Sequence, residues 1–282
     1  MEWWHAALLG LVEGVTEYLP ISSTGHLILA SSLLGLDRPE QKSALAAFEV
    51  AIQGGAILAV LGLYARRVAQ MARGLVGRDP VGLRLLIHVA LAFLPAALLG
   101  PLLDDPIEQF LFRPAPVLAA LFAGGLWMIW LDRSRTLAEG AALESLSARG
   151  ALAIGLFQCA AMWPGTSRSM MAIAGGVLLG LRASSAAEFS FLLGVPTLGA
   201  ACIYKLAQNL LESSQTGAPN LFETLGAGAT VIGFAVAAIS AALAVRWLVG
   251  FLARHGLAPF GWYRIALSVV LGALLWAGVV EL

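Results

Sequence analysis

The chain has 282 residues, of which 59% are hydrophobic and 12% are charged, and its mean hydropathy is +0.84. A soluble domain carries about a quarter charged residues, so this composition excludes an ordinary soluble protein and indicates a membrane-embedded chain. The 17 basic residues balance the 17 acidic ones, so the net charge gives no reason to expect a nucleic-acid partner.

Six apolar runs are long enough to cross a membrane, which takes about 20 residues. The first apolar region, 3–35, is instead interrupted by the stretch Pro20-Ile-Ser-Ser-Thr-Gly25, and the region 151–181 is interrupted by Pro164-Gly-Thr-Ser-Arg-Ser169. We expect two half-helices joined by a polar turn in each. Three predicted spans follow each interrupted region, and they cover residues 44–64, 85–103, 114–131, 186–207, 223–247 and 258–280.

The charges between the spans predict the orientation, because Arg and Lys in short loops accumulate on the cytoplasmic side. The 65–84 loop holds five arginines and one acid, Asp79, so it should be cytoplasmic. The 104–113 loop is acidic and should be outside, and the 132–150 segment should again be cytoplasmic. This alternation is consistent only if both interrupted regions are re-entrant, entering and leaving the membrane on the same side.

The chain then divides into two units, residues 1–131 and 151–282, joined by a cytoplasmic linker, 132–150. Each unit is a re-entrant pair followed by three spans, and because three is odd the units should have opposite orientations. The segment Gly10-Leu-Val-Glu-Gly14 also matches Gly155-Leu-Phe-Gln-Cys159. The sequence therefore predicts an all-α polytopic membrane protein with six transmembrane helices and two re-entrant helix pairs in an inverted-topology repeat.

The two polar turns predict a site, because non-helical backbone at membrane depth is tolerated where it lines a polar cavity or is buried in protein. Each turn precedes a half-helix whose free N–H groups and positive dipole end favour an anion. The turn hydroxyls either cap these helices or bind a ligand, and the sequence leaves both open. They belong to Ser22, Ser23, Thr24, Thr166, Ser167 and Ser169.

Four ionisable residues lie inside otherwise apolar segments: Glu13, Glu17, His26 and Arg168. Such a residue costs on the order of 3 kcal/mol on insertion scales and is a functional hypothesis by default, although a structural Glu–Arg pair is the alternative. Glu13 and Glu17 are four residues apart and share one helical face, so they repel if both are ionised. Either a proton or a divalent cation, Mg²⁺ or Ca²⁺, would relieve this repulsion.

His26 follows Ser23 by three residues and could take the serine proton or protonate a leaving group. Arg168 offers a planar, permanently charged fork for phosphate oxygens. Three more polar residues, Glu49, Gln53 and Glu188, lie near the start of apolar spans. They either extend the site or form hydrogen bonds with the unpaired backbone groups at half-helix ends.

The stretches 13–26 (EGVTEYLPISSTGH) and 164–169 (PGTSRS) resemble the two signature motifs of bacterial undecaprenyl-diphosphate phosphatases, the bacitracin-resistance family, and the resemblance runs over nearly the whole chain. It implies a hydrolase that converts the C55 isoprenyl pyrophosphate carrier to its monophosphate for peptidoglycan synthesis. It further implies bacitracin resistance, dependence on a divalent cation, and a site that opens outward from the bacterial inner membrane.

The resemblance also implies roles for individual residues. Ser23 would be the nucleophile, Glu17 and His26 its acid/base partners, and Arg168 a pyrophosphate ligand. We further expect metal ligation by Glu13 and Glu17. Substrate binding is expected from Glu13, Ser22, Thr24, Gly165, Thr166 and Ser167. The residues after the second motif, Met170-Met-Ala172, depart from the smaller or hydroxyl residues common in the family, which could narrow the pocket.

A transporter or flippase of a polyprenyl phosphate lipid is the competing hypothesis, because inverted repeats with broken helices are also transporter architecture. Attack by water instead of Ser23 also stays open. The acid-phosphatase type of lipid phosphatase is excluded, since it needs a Lys seven residues before an Arg, and Lys42 and Lys205 have Glu49 and Glu212 there. Membrane lipids are expected partners, and a homodimer stays open.

Overall fold

The computed structural model describes residues 1–36, 42–134, 140–217 and 220–279, and this part of the chain is almost entirely helical. Its one β-bridge joins Ala141 and Leu181. The helices are α1 (Trp3–Thr16), α2 (Ser23–Leu33), α3 (Lys42–Leu63), α4 (Ala65–Leu75), α5 (Pro80–Leu111), α6 (Pro114–Ser134), α7 (Ala148–Cys159), α8 (Arg168–Leu178), α9 (Ala183–Thr216), α10 (Leu221–Leu225), α11 (Ala227–His255) and α12 (Ala258–Trp276). Two short 3₁₀ turns, Leu143–Ser145 and Ala160–Met162, flank α7.

Six of these helices are long and apolar enough to cross a membrane: α3, α5, α6, α9, α11 and α12. They coincide with the six predicted spans, so the prediction of a multi-pass, all-helical membrane protein is confirmed. Large apolar side chains such as Leu98, Ile203 and Val231 are exposed along their outer faces, as expected where lipid replaces water as the surrounding solvent.

Several predicted boundaries differ from the structure. The predicted 65–84 loop contains the helix α4, and α5 starts at Pro80, where Asp79 accepts a hydrogen bond from the Gly82 N–H at 2.9 Å. Because α5 runs to Leu111, most of the predicted 104–113 loop is also helical. Near the C-terminus, Gly226 has φ +89° and separates α10 from α11, so the predicted 223–247 span begins later and ends later. Residues 135–139 of the linker and the end of the last span, 280, lie outside the described residues.

The interrupted regions form short helices of 14, 11, 12 and 11 residues, each shorter than the roughly 20 residues that a span needs. The helix α1 packs against α11 and α3, and α7 packs against α5 and α8. Close approach requires small residues: a Cβ at Gly10 would meet the Gly233 backbone, and one at Gly155 would meet the Ala92 backbone. The long helices α3 and α9 pack on each other, as do α6 and α12.

Candidate active site

Glu17 is the centre of the polar contacts between the two interrupted regions. It follows the last residue of α1, and its backbone N–H still bonds to the Glu13 carbonyl at 2.9 Å. The Ser23 Oγ donates to its Oε2 at 2.7 Å, and the Arg168 Nη2 donates to its Oε1 at 3.0 Å. With 6% of its surface exposed, Glu17 is a buried carboxylate that uses both oxygens, one for a hydroxyl and one for a guanidinium.

Arg168 is held by contacts from three elements. It is the first residue of α8, its Nη1 donates to the Ser190 carbonyl of α9 at 2.9 Å, and its guanidinium lies 5.3 Å above the centroid of the Tyr18 ring. Its Nε is buried without a hydrogen-bond partner among the described residues. Arg168 therefore has a fixed orientation, and its buried Nε–H is left for a further acceptor.

The two half-helices start with the same unusual backbone conformation. Ser22 precedes α2 with φ +72°, and Ser167 precedes α8 with φ +76°. Among the described residues these are the only non-glycine positions with positive φ, and such strain is commonly held at functional sites. Helix α2 then begins with Ser23 and α8 begins with Arg168, so the two residues that bond to Glu17 occupy the same position in the two regions.

The turn hydroxyls divide between capping and other contacts. The Ser167 hydroxyl accepts from the Met170 N–H at 3.3 Å and so caps α8, whereas Ser22 makes no side-chain cap. Ser169 donates to the Leu19 carbonyl at 2.9 Å and ties the second turn to the first. Thr24 and Thr166 are half-buried. Capping therefore accounts for Ser167, and the Ser169 hydroxyl connects the two regions, whereas the Ser23 hydroxyl bonds to Glu17 within the first region.

Arg264, a residue that the sequence reasoning missed, holds both turns in place. It lies in α12 and is fully buried. Its Nη2 donates to the carbonyls of Gly165 at 2.8 Å and Ala120 at 3.0 Å, and its Nη1 lies 3.5 Å from the Pro20 carbonyl. The signal for this residue was present in the sequence, because an arginine inside an apolar span is a functional hypothesis by the same rule that selected Arg168.

The conformation of the second turn and its close approach to α6 require a glycine at position 165. It has φ +91°, and a Cβ there would lie 2.6 Å from the Val117 carbonyl oxygen. Its own carbonyl accepts the Arg264 hydrogen bond. Met170 and Met171 are buried in the hydrophobic core, 1% and 7% exposed, so they pack behind the second turn.

A group of buried polar atoms without partners surrounds the Glu17–Arg168 pair. Among the described residues, no hydrogen-bond partner lies within reach of either oxygen of the Glu13 carboxylate, and the same holds for the Tyr18 hydroxyl and the Ser190 hydroxyl. Glu13 is 0% exposed, and its electrostatic neighbours are Glu17, Glu49, Arg168 and Gln53. Buried polar atoms are normally paired, so this concentration of unpaired ones is the expected signature of a ligand site.

Of the three residues whose role the sequence left open, two lie near this group. Glu49 accepts from the Ser31 hydroxyl at 3.3 Å and, with Gln53, lies close to Glu13. Glu188 instead accepts from the Arg67 Nε at 2.7 Å, and Arg67 also bonds to Glu144 at 2.8 Å. Glu188 therefore belongs to an ion-pair network that joins α4, α9 and the linker.

His26 is near the turn, but its ring nitrogens bond to residues other than Ser23. Its Nδ1 lies 2.7 Å from the Ser22 carbonyl, and its Nε2 lies 2.7 Å from the hydroxyl of Tyr263 in α12. Tyr263, like Tyr18 and Ser190, was not singled out from the sequence. No charge marks these residues. Tyr18 lies in the first turn itself, whereas Ser190 and Tyr263 reach the site because α9 and α12 pack against the turns.

The arrangement can hold a phosphate ester or anhydride for displacement. It combines a hydroxyl bonded to a carboxylate, a fixed arginine, two helix N-terminal ends and an unpaired second carboxylate. Activation of a hydroxyl by an adjacent base and stabilisation of developing charge by a fixed cation are the two elements of nucleophilic phosphoryl chemistry.

The chain is similar to proteins of one family over nearly its whole length. The family model for the bacitracin resistance protein BacA matches residues 6–270. The chain is 47% identical over 279 residues to an undecaprenyl-diphosphatase of Sorangium cellulosum, covering 98% of this chain and 86% of the relative. It is 45% identical to undecaprenyl-diphosphatase 2 of Rhodospirillum rubrum, covering 98% and 96%, and 41% identical to the undecaprenyl-diphosphatase of Deinococcus radiodurans, covering 100% and 98%.

Proposed function

The chain belongs to the family of the bacitracin resistance protein BacA, and from this membership we propose the reaction, the residues that perform it and their orientation in the membrane. The protein is an undecaprenyl-diphosphatase, a membrane hydrolase that converts undecaprenyl pyrophosphate to undecaprenyl phosphate. The observation that carries this function is the match of 98% of the chain to relatives with that name at 45–47% identity. Recycling of the lipid carrier for peptidoglycan synthesis and bacitracin resistance follow from the same activity.

In the mechanism we propose, Glu17 is the base for Ser23. The Ser23 hydroxyl donates to the Glu17 carboxylate at 2.7 Å, so the proton can pass to Oε2 as the Ser23 Oγ forms a bond to the terminal phosphorus. The bond from that phosphorus to the bridging oxygen breaks, and undecaprenyl phosphate leaves. Water then attacks the phosphoserine and the bond from phosphorus to the Ser23 Oγ breaks. Glu17 returns its proton to the Ser23 Oγ, and inorganic phosphate leaves with the two protons of the water.

Arg168 supplies the charge that this displacement needs. Its Nη groups are fixed by Glu17 and Ser190, and its buried Nε has no partner among the described residues. We assign that N–H to a phosphate oxygen. The N-terminal N–H groups of α2 and α8, together with Ser22, Thr24, Gly165, Thr166 and Ser167, would form the rest of the phosphate-binding surface.

A divalent cation, Mg²⁺ or Ca²⁺, fits the donors that are present. Glu13 is fully buried with both oxygens unpaired, and Glu17 is its electrostatic neighbour. Among the described residues no group of three or more His, Cys, Asp or Glu side chains could hold a metal, so two carboxylates and the substrate phosphates would share the ligation, as is usual for Mg²⁺. When bound, the cation would neutralise charge on the pyrophosphate.

The cation proposal is tested by its removal. EDTA should abolish phosphate release and added Mg²⁺ or Ca²⁺ should restore it, whereas Glu13→Gln should raise the metal concentration needed for half-maximal activity. Full activity in EDTA would contradict a cation at this position.

We also propose that the fold is an inverted-topology repeat with two re-entrant helix pairs. The two units are 1–131 and 151–282, on either side of the linker 132–150, and α1, α3, α5 and α6 of the first correspond to α7, α9, α11 and α12 of the second. The contact of α1 with α11 then corresponds to that of α7 with α5, and the contact of α3 with α11 to that of α9 with α5. All four pairs are in contact. The pairs α3–α9 and α6–α12 map onto themselves. The matching positive φ of Ser22 and Ser167 gives the same correspondence at the turns.

The proposed orientation places the site outward in the bacterial inner membrane. The arginine-rich segment 65–84 would then be cytoplasmic by the distribution of positive charge. Single cysteines in this segment should resist a membrane-impermeant thiol reagent in intact cells and react after permeabilisation. Labelling of these cysteines in intact cells would show the opposite orientation.

The activity is measured as phosphate release from undecaprenyl pyrophosphate by the purified protein in detergent. Ser23→Ala should abolish release if Ser23 is the nucleophile, and near-normal turnover would leave attack by water. Ser268→Ala is the matched control, because it makes the same change on a buried serine whose hydroxyl donates to the Ile265 carbonyl of its own helix. An absence of release in detergent, with activity only across a sealed bilayer, would favour a transporter instead.

Homodimerisation stays a prediction. The mass of the protein in its detergent complex, measured by light scattering, distinguishes a monomer of 29.4 kDa from a dimer.

A further inference from the structure

The imidazole of His26 is held at both of its nitrogens. Nδ1 lies 2.7 Å from the backbone carbonyl of Ser22, and Nε2 lies 2.7 Å from the Tyr263 hydroxyl. The two rings are parallel to within 1°, with centroids 5.6 Å apart. Tyr263 precedes Arg264 in α12, so one helix contacts both the His26 ring and the backbone of the two turns.

These contacts determine where the imidazole carries its proton. A backbone carbonyl only accepts hydrogen bonds, so Nδ1 must be the protonated nitrogen. In the neutral ring Nε2 is then the acceptor, and the Tyr263 hydroxyl donates to it. The only basic nitrogen of His26 therefore faces Tyr263, while the Ser23 hydroxyl donates to Glu17.

We propose that Tyr263 is a positioning residue for His26: its hydroxyl fixes the Nδ1–H form of the imidazole and keeps Nε2 available for the leaving phosphate oxygen. This inference rests on the proposed function. The Tyr263 side chain is exposed at the edge of the site, with 45% of the residue's surface accessible, whereas Glu17 is buried. The Tyr263 side chain is therefore more accessible from outside the protein than the Glu17 carboxylate is.

The proton transfers balance without another reagent. Nε2 takes up a proton from solvent water, which is released as hydroxide, and the Tyr263 hydroxyl rotates from donor to acceptor. As the bond from the terminal phosphorus to the bridging oxygen breaks, the Nε2 proton passes to the leaving monophosphate oxygen. Nε2 then accepts again from Tyr263, and the ring returns to its starting form. Ser23 exchanges its own proton with Glu17 in this scheme.

The test is Tyr263→Phe, which keeps the aromatic ring and removes the hydroxyl. We expect kcat to fall about tenfold, the equivalent of one hydrogen bond of about 1.4 kcal/mol, with KM within about twofold of wild type. In a His26→Gln background the same substitution should cause no further loss. Tyr204→Phe makes the same chemical change on an exposed tyrosine of α9 and should leave activity unchanged.

Nitrogen-15 NMR of histidine-labelled protein gives a readout that needs no substrate. The chain has four histidines, and the His26 signal is the one missing from His26→Gln. It should show the Nδ1–H form in wild type and in Tyr204→Phe, and a changed Nε2 shift in Tyr263→Phe.

Two results would overturn the role of Tyr263. One is that the kcat losses of Tyr263→Phe and His26→Gln multiply in the double variant, which a packing role for Tyr263 would produce. The other is an unchanged Nε2 shift in Tyr263→Phe. Failure of the wild type to release phosphate would instead contradict the proposed function, and the NMR comparison would still test the pairing.

Discussion

Replacing Glu17 by Gln should reduce kcat for phosphate release by at least a hundredfold. Glu17 uses one oxygen for the Ser23 hydroxyl and the other for Arg168, and a glutamine of the same size offers a single oxygen and no charge. It can accept from Ser23 or from Arg168, not from both, and it cannot take up a proton. General-base catalysis contributes about 10²–10⁴ in rate, or roughly 2.7–5.5 kcal/mol of barrier at 1.36 kcal/mol per tenfold.

The assay is steady-state phosphate release in detergent, with kcat and KM determined separately for Glu17→Gln, Ser23→Ala and the double variant. Residues that act as one unit are strongly non-additive, so the double variant should be no slower than the slower single variant. Glu144→Gln is the control, because it makes the same change on a carboxylate that is 46% exposed and bonds to Arg67. The reasoning fails if Glu17→Gln keeps more than a tenth of wild-type kcat, or if the two losses multiply.

Three further predictions concern stability. Arg264→Met should lower the unfolding temperature in detergent, because it leaves buried carbonyls such as that of Gly165 unpaired at a cost of about 1–3 kcal/mol each; an unchanged temperature would show that the carbonyls find other donors. Ser22→Val should destabilise the fold by about 1–3 kcal/mol, since a β-branched residue fits poorly at φ +72°. Ser22→Gly should be tolerated, and equal stability of the two variants would argue against backbone strain at position 22. The hydrogen bond from Arg67 lowers the pKa of Glu144, so this pair contributes stability above the unfolded pKa of Glu144 and loses it as the pH falls through the lowered folded pKa. The contribution is under about 1 kcal/mol for so exposed a carboxylate. Arg67→Gln should raise the pKa of Glu144 toward its ordinary value, measured by infrared titration of the carboxylate.

Much of the candidate site could be read from the sequence because a buried charge is conspicuous in an apolar chain. Glu13, Glu17, His26 and Arg168 stand out for that reason, and the proline-interrupted turns locate them between half-helices. The partners of these residues could not be read in the same way. Ser190 contributes a backbone carbonyl to Arg168, and Tyr263 contributes a hydroxyl to His26 from a helix 237 residues away in the sequence.

The helix boundaries show a similar division. Apolar length alone located the six long helices, because the membrane requires about 20 apolar residues per span. It could not show that α5 continues through Asp104 and Glu108 to Leu111, since helix propensity and hydrogen bonding carry a helix past the apolar stretch. It also did not predict α4, because the polar residues of this segment are typical of a loop and the helix is recognised only where it packs against α5.

The sequence by itself determined that this chain is a multi-pass membrane protein with two polar interruptions, and it identified the ionisable residues inside them, because both properties depend only on which residues follow one another. Only the tertiary structure decided how those residues pair. Arg168 bonds to Glu17, the basic nitrogen of His26 faces Tyr263, and Arg264 holds both turns, because each of these contacts joins distant segments that packing alone brings within hydrogen-bond distance.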